Sequence, residues 1–163
     1  MRIYWIKDLA SGCIGMMSRP RGNDWLSDEI SYLRGCGVDH VVSLLESHEI
    51  DELELELEQE FCSQNEIEFT NFPIADCEVP KSKIEFNELI KKLVLEINNG
   101  RKIIVHCRMG IGRTSTVVAA ILIQLGEQQS NVFEYISTIR TLEVPDTKKQ
   151  KDWVLSNCLN SNI

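Results

Sequence analysis

The stretch from Ile103 to Leu125 constrains this chain more than any other. Ile103, Ile104 and Val105 form a short β-branched run of the kind that fills a buried strand. TSTVVAAILIQL, Thr114 to Leu125, is apolar almost all round, and such a helix must be enclosed by the rest of the protein. Between them lies HCRMGIGRT, residues 106 to 114. A loop from Cys107 to Gly112 therefore joins the end of a buried strand to the start of a buried helix.

The loop's residues specify its chemistry. Helix N-termini carry unpaired N–H groups and a partial positive charge. Successive N–H groups in a tight loop form an anion-binding concavity. Gly110 and Gly112 permit a close backbone approach that side chains would block. Arg113 adds a planar, permanently charged fork suited to phosphate. The same positive field favours thiolate over thiol, so Cys107 is expected to be an ionised nucleophile. Thr114 is expected to donate its hydroxyl to the sulfur, and His106 to orient the loop from behind. A buried, inert cysteine would account for Cys107 alone, but not for Arg113 and both glycines at these offsets.

Expelling an alkoxide or phenoxide from phosphorus also needs a proton donor. Asp76, in NFPIADCEVP, is the best candidate, because Pro73 and Pro80 bracket a loop after the extended run Ile67 to Phe72. Glu78 is a weaker candidate in the same loop. The competing reading of either is a solvated turn carboxylate.

HCRMGIGRT resembles the H-C-x5-R-[ST] signature of the cysteine-dependent protein tyrosine phosphatases. With PIAD as a general-acid loop, the chain is similar to the compact dual-specificity branch, in the group of the cyclin-dependent-kinase-associated phosphatase and its bacterial relatives. The resemblance implies Cys107 as nucleophile, Arg113 as phosphate ligand and Asp76 as general acid. It also implies that the backbone of Arg108, Met109, Gly110, Ile111 and Gly112 binds substrate, and that no metal or other cofactor takes part. PDTKKQ resembles a late loop of the same group, with Asp146 in place of a glutamine and Gln150 retained. Asp146 or Gln150 would then place the hydrolytic water, or Asp146 would simply cap the last helix.

At 163 residues the chain is expected to be one domain spanning 1–163. No apolar run reaches the roughly 20 residues of a membrane span, and MRIYWIKD lacks a signal peptide's apolar stretch. A net charge of −8 argues against nucleic acid or an anionic membrane as partner. A cytoplasmic monomer acting on phosphorylated protein or peptide is expected. Arg19 and Arg21 are candidates to reach the pocket, with solvated loop arginines as the alternative. His40 and His48 have no second metal-ligating group at useful spacing and read as structural or surface residues. The six cysteines include no C-x-x-C pair. Cys36, Cys62 and Cys158 read as structural thiols, whereas Cys77 neighbours Asp76 and is a candidate for a reversible disulfide with Cys107.

Strands are expected at Ile3–Ile6, His40–Leu45, Ile67–Phe72 and the signature strand, with SGCIGMMSRPRGND as a loop. A helix capped by Asn23 or Asp24 should bury Leu26, Ile30 and Leu33. EIDELELELEQEFC fits both periods and is taken as one helix with Ile50, Leu53, Leu57 and Phe61 inward and its acidic face in solvent. A capping box at Ser82 and Glu85 opens a helix to Asn99. Ser130 should cap a helix from Asn131 to Leu142, and a last helix runs from about Asp146 to Cys158. The result is an α/β fold of the protein tyrosine phosphatase kind: a mainly parallel sheet of four to five strands with helices on both faces. A phosphomonoesterase for phosphotyrosine, with phosphoserine or phosphothreonine as well, is the leading reading. A phosphatase of phosphoinositides, inositol phosphates or RNA 5′ ends, and a non-catalytic phosphate-binding module, are the alternatives.

Overall fold

A computed structural model of the chain describes residues 1–9 and 11–158. Five strands form one sheet: β1 (Tyr4–Asp8), β2 (Cys13–Ser18), β3 (His40–Ser43), β4 (Glu68–Asn71) and β5 (Lys102–Cys107). Their order is β1-β2-β5-β3-β4, with only the β1–β2 pair antiparallel. The helices are α1 (Leu26–Gly35), α2 (Ser47–Glu52), α3 (Glu58–Gln64), α4 (Lys83–Asn98), α5 (Gly112–Gln124), α6 (Val132–Arg140) and α7 (Lys148–Cys158). The expected α/β architecture is present, with β5 at its centre.

Burial follows from alternation along β5. Ile103 and Val105 face a core built with Phe86 and Leu93 of α4, Val117 and Ile121 of α5, Phe133 of α6 and Val154 of α7. Ile104 faces the other way, onto Leu26, Ile30 and Leu33 of α1 and Cys62 of α3. Both faces of β5 are therefore dry, which is why the run is continuously apolar. Side chains of α5 from Gly112 to Leu122 are all buried, as an all-round apolar helix requires.

Three expectations need correction. Cys13–Ser18 is not loop but a strand buried between β1 and β5. Its methionines and central glycine hide the β-branched signature, and Gly15 is needed because any Cβ there would press on Ile104 and Trp5. The acidic segment is not one helix. Its chain breaks after Glu52, with Glu54 at φ +56, and resumes at Glu58. Leu55 is buried while Leu57 is exposed, and Glu49 and Glu58 are only 2 % exposed. The caps also differ. Neither Asn23 nor Asp24 caps α1 through its side chain, and α6 starts beyond Ser130 with no side-chain cap. Ser82 does accept the N–H of Glu85.

At the N-terminal ends of the parallel strands lies a charged cluster that sequence spacing did not reveal. His40 Nδ1 is 2.8 Å from Glu96, and Arg101 Nη1 bonds both Glu96 (2.9 Å) and Glu68 (2.7 Å). Lys92 adds a bond to Glu68 at 2.8 Å. The carboxylates gathered round His40 are thus matched by two cations. Burial pushes His40 below its usual range, against the pull of Glu96. The Lys92 bond, followed by that of Arg101, holds Glu68 at about 2 in spite of its partial burial.

Because Glu68 binds its proton more weakly folded than unfolded, its contribution is complete above pH 4.5 and fades as pH falls toward about 2. Glu68→Gln should therefore flatten the acid limb of a melting-temperature profile across that interval. An unchanged difference from wild type throughout it would refute the assignment.

Candidate active site

The C-terminal ends of β2, β5 and β3 meet at one edge of the sheet, the usual ligand edge of such folds. Ser18 pairs with Cys107, and Ser43 with His106. Leu44 N donates to His106 O at 2.9 Å, and Arg19 N to Arg108 O at 3.4 Å, so both neighbouring segments fasten the loop. Gly110 has φ +65 and lies so close to the Met17 carbonyl that a Cβ would collide with it. The loop can curl only if this residue is glycine. It leads into an α5 whose first turn has no side-chain cap, so those N–H groups keep their positive field.

Cys107 is 3 % exposed and ends β5. Arg113, in the first turn of α5, is 2 % exposed. Glu49 of α2 grips it from Nη1 at 2.6 Å and Nη2 at 2.9 Å, and Nη1 also donates to Ile74 O at 3.0 Å. Burial works against the Arg113 cation, but the Glu49 bond and the charges of Cys107 and Asp76 outweigh it and raise its pKa. Burial likewise opposes ionisation of Glu49, yet Arg113 and the Glu46 N–H hold its carboxyl below the usual range. Each charge is tolerable inside because the other is there.

Asp76 Oδ1 lies 3.3 Å from Arg113 Nη2, with 70 % of its side chain exposed. The proline-bracketed loop therefore does come over the signature loop. Glu78 turns away to Lys149 of α7 and pairs with it. Cys77 is exposed at φ +58, with its thiol pushed up chiefly by Asp76. Met109 stands on the rim, 63 % exposed.

Arg19 and Arg21 do not point into the site. Arg19 Nη1 donates to Pro20 O at 2.9 Å, and Arg21 pairs with Glu29 at 2.6 Å and stacks on Trp25. His48 is exposed. Cys36 is half-buried and Cys62 buried, while the Cys158 side chain lies outside the described residues.

Asp146 and Gln150 separate in role. Thr147 and Gln150 form a reciprocal cap at the start of α7: Gln150 N donates to Thr147 Oγ1 at 3.2 Å, and Thr147 N to Gln150 Oε1 at 3.3 Å. Gln150 Nε2 also donates to Glu78 O at 3.2 Å, tying α7 to the Asp76 loop. Asp146 is not the cap; its carboxylate lies against Gly112 at the foot of α5.

Two buried carboxylates next to the signature segment escaped sequence reasoning. Glu49 is one. Glu58 is the other, with Oε1 2.9 Å from His106 Nε2 behind the loop, near in distance though not aligned as a hydrogen bond. Thr114 Oγ1 is buried with no hydrogen-bond partner among the described residues. T-x-x-Q at Thr147 was a readable capping signal; nothing local marks Glu49 or Glu58.

The chain belongs to the DSP-PTPase phosphatase family: residues 14–127 match the family described as "Polymorphic toxin system, DSP-PTPase phosphatase". "Putative tyrosine phosphatase 197R" of Invertebrate iridescent virus 6 is 33% identical over 134 residues, covering 77% of this chain and 49% of the viral protein. Protein phosphatase Slingshot homolog 1 of Homo sapiens is 25% identical over 142 residues, covering 82% of this chain and 12% of its own length. The chain thus spans about half of the first relative and a small part of the second. Among solved structures, a kinase associated phosphatase with its catalytic site cysteine changed to serine superimposes with a TM-score of 0.84 at 19% identity, over 94% of this chain and 91% of the other. PTPMT1 gives 0.77 at 18% identity, over 97% and 94%.

Removing one partner of a buried ion pair costs about 3–5 kcal/mol. Glu49→Ala should destabilise the protein on that scale in urea unfolding and weaken orthovanadate binding in parallel. Losses of less than about 1 kcal/mol, the worth of a surface pair, would mean that Arg113 holds its place without Glu49.

Proposed function

We propose that this phosphatase cleaves phosphomonoesters through a phosphocysteine on Cys107, with phosphotyrosine in proteins as its main substrate and phosphoserine or phosphothreonine as further ones. The observation that carries this reading is the convergence on Arg113. The guanidinium of Arg113, in the first turn of α5, is held on one side by Glu49 and met on another by Asp76, which arrives on a separate loop.

Arg113 has five donor hydrogens, of which three serve Glu49 and Ile74. One on Nε and one on Nη2, the latter met by Asp76 at 3.3 Å, form no hydrogen bond among the described residues and serve the phosphate oxygens. The N–H groups of Arg108, Met109, Gly110, Ile111, Gly112 and Arg113 supply the remaining donors, aimed at the three equatorial oxygens where transition-state charge resides. The Cys107 sulfur attacks phosphorus as the P–O bond to the leaving group breaks, and Asp76 gives its proton to that oxygen. Water then attacks phosphorus, Asp76 takes its proton back, and the P–S bond breaks to return the thiolate. The exposed Asp76 can exchange its proton with solvent between turnovers. Thr114, with an uncommitted hydroxyl, steadies the departing sulfur. Asp146, beside Gly112, is the better placed of the two late-loop residues to orient the water, because the Gln150 side chain is engaged elsewhere.

Every charge this scheme calls for comes from the chain itself, so chelators should leave the rate unchanged and orthovanadate should inhibit. The decisive comparison uses a phosphotyrosine peptide. Cys107→Ser should abolish turnover while still binding the peptide. Asp76→Ala should lower kcat by roughly 10²–10⁴-fold, the range for loss of a general acid. Full activity in the first variant would remove Cys107 as nucleophile; full activity in the second would move the proton donor elsewhere, with Glu78 next to be tested.

A further inference from the structure

Arg108 is the only cationic side chain among residues 107 to 112, and it follows the nucleophile directly. It does not stand free. Glu52 of α2 grips it twice, at 2.5 Å from Nη2 and 3.3 Å from Nη1. Glu49 and Asp76 lie within its electrostatic reach as well. Three further cations are engaged elsewhere: Arg19 by a backbone carbonyl, Arg21 by Glu29 and Lys149 by Glu78.

A second anionic group beside the scissile phosphate would need a partner of its own. Arg108 is the nearest by sequence, and a carboxylate already holds it in bidentate geometry. We propose that Glu52 is a specificity-determining residue: by tethering Arg108 it directs the site toward singly phosphorylated peptides with uncharged neighbours and against substrates carrying an adjacent second phosphate. This rests on the phosphatase reading above and names the substrate class of that same site. Glu52 and Glu49 are one helical turn apart, so α2 assigns one carboxylate to each arginine of the signature. Glu49 holds a buried cation in place; Glu52 withholds an exposed one.

The test uses two phosphotyrosine peptides that differ only in whether the next residue is serine or phosphoserine. The quantity read is the ratio of kcat/KM for the doubly over the singly phosphorylated peptide. In Glu52→Gln the ratio should rise about fivefold over wild type, the scale of one exposed ion pair. Adding Arg108→Ala to that variant should cancel the gain, because the released guanidinium is what captures the second phosphate. Raising the ionic strength should shrink the gain, since the groups are solvent-exposed. A ratio that does not move in Glu52→Gln overturns the proposal. A gain that survives removal of Arg108 overturns it too, because loss of the Glu52 charge alone would then suffice. If wild type turns over neither peptide, the phosphatase reading fails on its own, and the same ratio is taken from dissociation constants of the two peptides with the Cys107→Ser protein and its Glu52→Gln derivative.

Discussion

The two-point grip of Glu49 on Arg113 is the interaction on which the site depends. A guanidinium that is 2 % exposed keeps its charge, so its burial is costly without a counter-ion, and a carboxylate just as buried needs Arg113 in the same way. Their pairing fixes the plane of the fork. That plane decides where its other donors point, and with them where a tetrahedral anion can rest. Ile74 O takes part in the same fixation, so the backbone leading to Asp76 is set by the residue that Asp76 lies against. The start of α5, α2 and the Asp76 loop thus all refer to one cation.

Charge in this protein is concentrated at the two ends of its sheet. At the C-terminal ends of the parallel strands are Arg113, Glu49, Asp76 and the Arg108–Glu52 pair. At the opposite ends are His40, Glu96, Arg101, Glu68 and Lys92. The first set surrounds the signature loop and pairs each of its arginines with a carboxylate of α2. In the second, each carboxylate has a cation beside it, and the cluster joins β3, β4 and α4. Between the two lies an apolar interior through which β5 runs.

How much could be read from the sequence follows from how local each feature is. Cys107, both loop glycines and Arg113 fall within one short strand–loop–helix segment, so their placement at a strand end and a helix start was legible without a fold. The position of Asp76 on a loop was legible because its prolines mark one. Glu49 was not: its partner is 64 residues away, and it sits in a run of glutamates whose period suggests a wet helical face. Leu53 and Leu57 fit that period, yet the backbone reverses at Glu54 and sends Leu55 inward instead. β2 was lost for a different reason, since Gly15 and two methionines carry little strand signal and the burial that makes them a strand comes from β5. Thr147 and Gln150 show the converse case, a reciprocal cap whose T-x-x-Q spacing is wholly local.

The brevity of α2 has a consequence for how the site comes into being. Six residues, half of them acidic, hold no helix by themselves in water. Besides the Glu46–Glu49 capping box and the packing of Ile50, what holds Ser47–Glu52 is its ties to two arginines that arrive much later in the chain. The signature loop and its acidic brace thus come from stretches of chain more than fifty residues apart, and each is completed by the other. The short helix belongs to the tertiary structure rather than to its own sequence.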